Sequence, residues 1–208
     1  MTTALVLNST ARGSQSVSRQ LVELAIENLR EADPDIRIIA RDLDAEPLPH
    51  LTADVAHVIT GGSPSNPAQE AALRLSDALI EELKAADVVI IGAPMYNFGI
   101  PSTLKSWFDY VLRAGVTFRY TEQGPIGLVG RKKVVVVESR AGFYSEGETM
   151  AMDSQEPHLR TMLGLMGLKD VEFVRVEKLA FGPEAMNAAL EGARERVRQV
   201  AIPETLAA

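Results

Sequence analysis

The sequence predicts an α/β protein: a doubly wound, five-stranded parallel sheet with helices on both faces. Three observations predict it. Short apolar runs alternate with segments whose apolar residues recur every three or four positions. The runs Ala4–Asn8, Val88–Ile91 and Val134–Glu138 are almost wholly aliphatic, as strands buried on both faces are, whereas Ile36–Arg41 and Val171–Glu177 carry charges suited to sheet edges. No linker, repeat or low-complexity tract divides the chain, so residues 1–208 are expected to form a single domain. Right-handed crossovers with the second and fifth strands outermost give the order 2-1-3-4-5, which places a ligand crevice at the carboxyl ends of the first and third strands.

Each element has a local cause. After the strand Ala4–Asn8, Leu21, Val22, Ala25, Leu29 and Ala32 form one face of a helix over Ser16–Ala32. The strand Ile36–Arg41 leads into a long connection, Asp42–Asn66, punctuated by Pro47, Pro49, Gly61-Gly62 and Pro64. This connection reads equally as the lining of a substrate entrance and as a surface loop. Asn66 then caps a helix with Pro67 at its first position and Gln69 in capping-box range. The central strand Val88–Ile91 follows, then a helix started by Pro101 and carrying Leu104, Trp107, Phe108 and Val111. A long segment, Arg113–Arg131, precedes the strand Val134–Glu138. A helix over Pro157–Met166, the strand Val171–Glu177 and a last helix from Gly182-Pro183 complete the chain.

Composition narrows the function. With 46% apolar and 24% charged residues the chain is no disordered segment, and 208 residues bury roughly 70% of their unfolded surface without staples. The absence of cysteine removes disulfide scaffolds, thiolate catalysis and Cys-based metal sites. A net charge of −7 opposes binding to nucleic acid, and no apolar run nears the roughly 20 residues of a membrane helix. Met1-Thr2-Thr3-Ala4-Leu5 lacks the start of a signal peptide, so the expected location is the cytoplasm, with neither nucleic acid nor membrane as a partner. His50, His57 and His158 have no ligand spacing, so no metal site is expected.

Three loops gather at the expected crevice. The first, Asn8–Ser18, combines Ser9, Thr10, Ser14, Ser16 and Ser18 with Gly13 at a helix start, where free N–H groups and the helix dipole suit a phosphate. It contains neither a dinucleotide fingerprint nor a P-loop lysine, and an ordinary serine cap on a polar turn explains it as well. The second, Gly92–Ser102, sets Met95, Tyr96, Asn97 and Phe98 between Pro94 and Pro101, offering apolar faces and amides to a planar heteroaromatic ring. The third, Glu138-Ser139-Arg140-Ala141-Gly142, is small enough for close approach to a ligand, though a generic turn would look similar.

The sequence Met95-Tyr96-Asn97-Phe98 with Pro101 and Lys105, then Gly115-Val116-Thr117-Phe118-Arg119-Tyr120, then Ser139-Arg140-Ala141-Gly142, resembles the FMN-dependent NADH-azoreductase and NADH:quinone oxidoreductase family, over nearly the whole chain. The resemblance implies a flavodoxin-like fold, a homodimer and one FMN per subunit. It implies NADH or NADPH as donor and ping-pong transfer of two electrons to quinones or azo compounds, the latter cleaved to amines. The flavin would carry the chemistry, with no catalytic side chain. Implied phosphate ligands are Ser9, Thr10, Ser16, Val17 and Ser18. Implied ring neighbours are Met95, Tyr96, Asn97 and Phe98 on one side and Ser139, Arg140, Ala141 and Gly142 on the other, with Arg140 and Gly142 toward the pyrimidine edge. Phe118 and Tyr120 are implied to shape the substrate slot over a neighbouring subunit's flavin. Ala141 stands where the family usually has glycine. A single-electron carrier of the same fold, serving protein partners, is the alternative reading, and a phosphate-binding module with no redox role is a third.

Overall fold

The computed structural model describes residues 1–200. Five parallel strands form the main sheet in the order β2-β1-β3-β6-β7: β1 Thr3–Asn8, β2 Arg37–Asp42, β3 Val88–Gly92, β6 Lys133–Ser139 and β7 Val171–Val176. The two remaining strands, β4 Phe118–Thr121 and β5 Gly124–Gly127, make a separate antiparallel hairpin. Among the described residues the helices are α1 Val17–Ala32, α2 Ala53–Ile59, α3 Pro67–Ala85, α4 Ser102–Val111, α5 Glu156–Leu165 and α6 Pro183–Val200. None is long and apolar enough to cross a membrane.

Strand composition does set strand position. All of β3 is buried, whereas every residue of β2 retains some exposure at the sheet edge. Alternation then divides the core. Leu5, Leu7, Val89, Ile91, Val134 and Val136 pack with α2, α3, α4 and α5; Ala4, Val6, Val88, Ile90, Val135 and Val137 pack with α1 and α6. Each fully buried Leu or Ile contributes about 1.5–3 kcal/mol, so a one-residue slip of a central strand would exchange the two faces at great cost. Trp107 and Phe108 meet edge-on, 5.0 Å apart, within the first of these cores.

Two long connections contain more structure than their sequence predicts. Within Asp42–Asn66, α2 is capped by Thr52, and Leu43, Leu48, Val55, Val58 and Ile59 are buried. Asn66 caps α3 as expected, accepting from the Gln69 amide at 2.9 Å. Gln69 closes its box one residue upstream, accepting from Ser65 N–H at 2.8 Å. Asn66 and Gln69 both also donate to Asp54, joining α3 to α2. This connection is therefore core cover. The Arg113–Arg131 segment holds the β4–β5 hairpin, whose Gly127 presses on Gly167: a Cβ there would lie 2.1 Å from the Gly167 amide nitrogen. No side chain other than glycine's fits without backbone movement.

Candidate functional site

A cleft of about 230 Å³ opens at the carboxyl ends of β1, β3 and β6. Thr10, Arg12, Gln15, Ser16 and Val17 line it from the first loop, Pro94, Met95 and Tyr96 from the second, and Ser139 and Ala141 from the third. Leu179 and Ala180, which follow β7, close the far wall.

The first loop is shaped by its own hydroxyls. A short 3-10 turn over Gly13–Gln15 leads into α1, where Ser16 caps the helix by accepting from Arg19 N–H at 3.4 Å. Among the described residues, the Val17 and Ser18 amides have no partner. The start of a sixteen-residue helix, with its dipole and the free Val17 N–H, thus meets Thr10, Arg12 and Ser16 at one end of the cleft. The Ser9 and Ser18 side chains lie deeper and are already hydrogen-bonded within the protein. Ser9 Oγ is buried and donates to the Gly92 carbonyl at 2.7 Å, tying β1 to β3. Ser18 Oγ is buried against Ser16 Oγ at 3.0 Å.

The second loop carries backbone strain. Tyr96 and Gly99 exchange backbone hydrogen bonds at 3.0 and 3.1 Å, closing a tight turn whose central residues, Asn97 and Phe98, have φ of 49° and 68°. Positive φ at both central positions is the type I′ pattern, normally served by Asn-Gly; a bulky residue such as Phe98 there costs of order 1–3 kcal/mol. The turn leaves the Asn97 and Phe98 amides without a partner among the described residues and both side chains exposed. Strain of this kind persists where the surroundings over-determine it. Here the surroundings are Ala11 N–H donating to Tyr96 Oη at 3.1 Å, Met95 N–H donating to Ser139 O at 2.9 Å, and Ser154 N–H donating to Phe98 O at 3.0 Å.

The third loop departs furthest from expectation. Arg140 offers no charge to the cleft: its side chain is fully buried among carboxylates. Its Nη2 donates to Glu138 at 2.7 Å and lies 3.0 Å from Asp153, Nη1 donates to Glu177 at 3.2 Å, and Nε donates to Gln155 at 3.0 Å. Burial pushes the Glu138 carboxyl up to about 8, against the pull of Arg140, and its Oε1 has no partner. Gly142 is small for an internal reason, since a Cβ there would sit 2.6 Å from the Tyr144 hydroxyl. The Tyr144 ring in turn meets Phe98 edge-on at 6.0 Å. Phe118 is buried at the base of the hairpin, edge-on to an exposed Tyr120 at 5.5 Å, and neither lines this chain's own cleft.

The sequence reading missed Arg12, Gln15, Pro94, Leu179 and Ala180. Leu179 and Ala180 were accessible from strand order alone, because β7 neighbours β6 and its carboxyl end must open on the same side.

Residues 2–201 match the family described as having a flavodoxin-like fold. A protein of Hyphomonas neptunium named FMN-dependent NADH:quinone oxidoreductase is 54% identical over 97% of this chain and 96% of its own length. The crystal structure of an azoreductase from Bacillus anthracis str. Sterne superposes with a TM-score of 0.88 at 30% identity, over 97% of this chain and 99% of that one. An FMN-dependent NADH-azoreductase from Bacillus anthracis str. Ames Ancestor, solved in complex with FMN, shares the fold at 23% identity and a TM-score of 0.84, over 97% and 100% of the two chains.

Proposed function

The chain belongs to this flavodoxin-like family, and from that premise we propose that it is an FMN-dependent NADH:quinone oxidoreductase that also reduces azo compounds. The observation that carries the reading is the pairing of unpartnered amides at the start of α1, where Val17 lines the cleft, with those of the strained Asn97–Phe98 turn, which directly follows the cleft residues Met95 and Tyr96. The first set suits a dianionic phosphate, the second the polar edge of a planar ring. FMN has both.

Thr10, Ser16, the Val17 and Ser18 amides and Arg12 would hold the phosphate; the helix dipole contributes about 0.3–1 kcal/mol, up to ~2 where partly buried. Ser9 and the Ser18 hydroxyl would support this loop without touching the ligand. Met95 and Tyr96 would flank the ring, with the Asn97 and Phe98 amides at its edge and Ser139, Ala141 and Gly142 across from them. The chemistry FMN supplies when bound is two-electron transfer from NADH to a quinone or azo acceptor, while the chain supplies binding, orientation and shielding from water. The cleft's volume of about 230 Å³ is below the usual 300–1,000 Å³ of an enclosed small-molecule site, so a bound ring would need further cover. We assign its cover to a second copy of the chain in a homodimer, with Tyr120 of the hairpin as a cover residue. The doubly wound arrangement and a single domain over residues 1–208 complete this reading; residues 201–208 lie outside the described structure.

Anaerobic titration of the FMN-loaded protein with NADH tests the reading. The expected result is bleaching of the flavin with one equivalent of NADH and recovery on addition of menadione or methyl red, without any partner protein. Failure to take up FMN, or a flavin that NADH does not bleach, overturns it.

A further inference from the structure

The residues just ahead of α5 lie outside the cleft, yet they are bonded to both of its ring-side loops. Gln155 is fully buried and every polar group it has is used. Its Nε2 donates to the Ala93 carbonyl at 2.7 Å, its Oε1 accepts from Arg140 Nε at 3.0 Å, and its own N–H donates to Asp153 Oδ1 at 2.8 Å. Its carbonyl accepts from Leu159 N–H at 3.0 Å. Ala93 immediately precedes the Pro94–Phe98 loop, and Arg140 sits between Ser139 and Ala141. One amide side chain therefore spans the roots of the two loops that meet above it in the Met95–Ser139 hydrogen bond. Ser154 holds the strained turn through Phe98 O, and Asp153 reaches Arg140 from the other side at 3.0 Å. Arg140 extends the same network to Glu177, which accepts from Tyr144 N–H at 2.8 Å, and Tyr144 packs on both Gly142 and Phe98.

We propose that Gln155, acting with Asp153 and Arg140, is a positioning clamp: it fixes the spacing between the 94–98 and 139–142 loops, and through it the fit of the flavin ring, without touching the cofactor. The proposal rests on the FMN reading above. It separates the two halves of the ligand, because the clamp contacts neither the Thr10–Ser18 loop nor the start of α1.

The test compares FMN with riboflavin, which has the ring and lacks the phosphate, by fluorescence titration of the apo-protein. Gln155→Met keeps the volume and removes both side-chain hydrogen bonds. With the two loops no longer held at a fixed spacing, the Kd for FMN and the Kd for riboflavin should rise together by about tenfold, a change of about 1.4 kcal/mol. The visible circular dichroism of the bound flavin should change as well. Ser16→Ala, at the phosphate end, should weaken FMN and leave riboflavin unaffected. A purely structural Gln155 would lower the melting temperature with both Kd values within twofold of wild type, and that result overturns the clamp. Should Gln155→Met fail to fold, Arg140→Lys keeps the buried charge while losing the fork that reaches Gln155 and Glu138 together. Unchanged flavin affinities in that folded variant overturn the clamp equally. Wild-type protein that binds no FMN overturns the function itself, a different result from a variant that binds as wild type does.

Discussion

At one end of the cleft, Thr10, Arg12, Ser16 and the first amides of α1 all come from one stretch of chain, and their hydrogen bonds are to close neighbours except at Tyr96 Oη, which lies 3.4 Å from Thr10 Oγ1 and accepts from Ala11 N–H. Beside the other, the loop that carries the Asn97 and Phe98 amides is tied at Met95 to Ser139, at Phe98 O to Ser154 and at Ala93 to Gln155, which Arg140 holds in turn, all from segments far apart in sequence. The first end is a local structure that a helix start nearly guarantees. The second is tertiary, its strained turn tied to the segment before α5 through Ser154 N–H and Phe98 O. A defect at the phosphate end should remain there, whereas a defect in the network should reach stability and ring binding together.

The largest expected effect follows from Arg140→Met. It leaves Asp153 and Glu177 without their buried cation, and breaking one side of such a pair costs about 3–5 kcal/mol. Urea unfolding should show that loss; a variant within 1 kcal/mol of wild type, on the order of one ordinary surface change, would mean the network contributes little to the ring end.

Glu138 gives the same network a pH signature. Burial pushes its folded carboxyl up to about 8 from its ordinary 4.5, so between those values the folded chain holds a proton that the unfolded chain releases. Stability from this group is therefore fully present at acid pH, falls as pH rises through that window by at most about 1.4 kcal/mol per pH unit, and is flat above it. Glu138→Gln should flatten the dependence of the urea midpoint over about pH 5 to 8. Equal slopes in the two proteins would show that Glu138 is ionised in the fold.

This contrast also explains what the sequence disclosed. Strand order was legible because burial on both faces selects aliphatic residues, and Asn66 and Ser16 were legible as caps because capping is decided within four residues. The polar loop leading into α1 was legible for the same reason. The family resemblance places Arg140 toward the ring, whereas its side chain is buried in the ionic network. Nothing local to Ser139–Gly142 reveals that Asp153, Gln155 and Glu177 converge on it. The partners of Ser9 and Ser18 were equally hidden, since a hydroxyl that bonds Gly92 O or Ser16 Oγ has the same sequence signature as one that faces a ligand. The α2 helix was missed because its seven residues are too few to display a period.

Ser16→Ala probes the local end. It removes the cap on Arg19 N–H and the bond to Ser18, which should cost about 1 kcal/mol in the range 0.5–2. Near-UV circular dichroism should be unchanged and the pH dependence should keep the Glu138 slope. A loss as large as that of Arg140→Met would erase the distinction between the two ends.

Tyr120 sharpens the comparison from outside it. Its side chain is 74% exposed and braced edge-on by the buried Phe118, so the hairpin presents a fixed aromatic ring that nothing in its own chain covers. A ring held this way has lost little rotational freedom to give up on stacking, and an aromatic stack is worth about 0.5–1.5 kcal/mol beyond area burial. If a second copy places this ring over the flavin, Tyr120→Ala should raise KM for several planar acceptors by about two- to tenfold. Bound FMN, the rate of flavin reduction by NADH and the urea midpoint should all stay close to wild type, since an exposed side chain away from the cleft changes stability by no more than about 0.5 kcal/mol. Unchanged KM for quinone and azo acceptors alike would remove the hairpin from the acceptor site. A loss of FMN instead would make it part of the cofactor's own enclosure, and the cleft would then have three structurally independent walls.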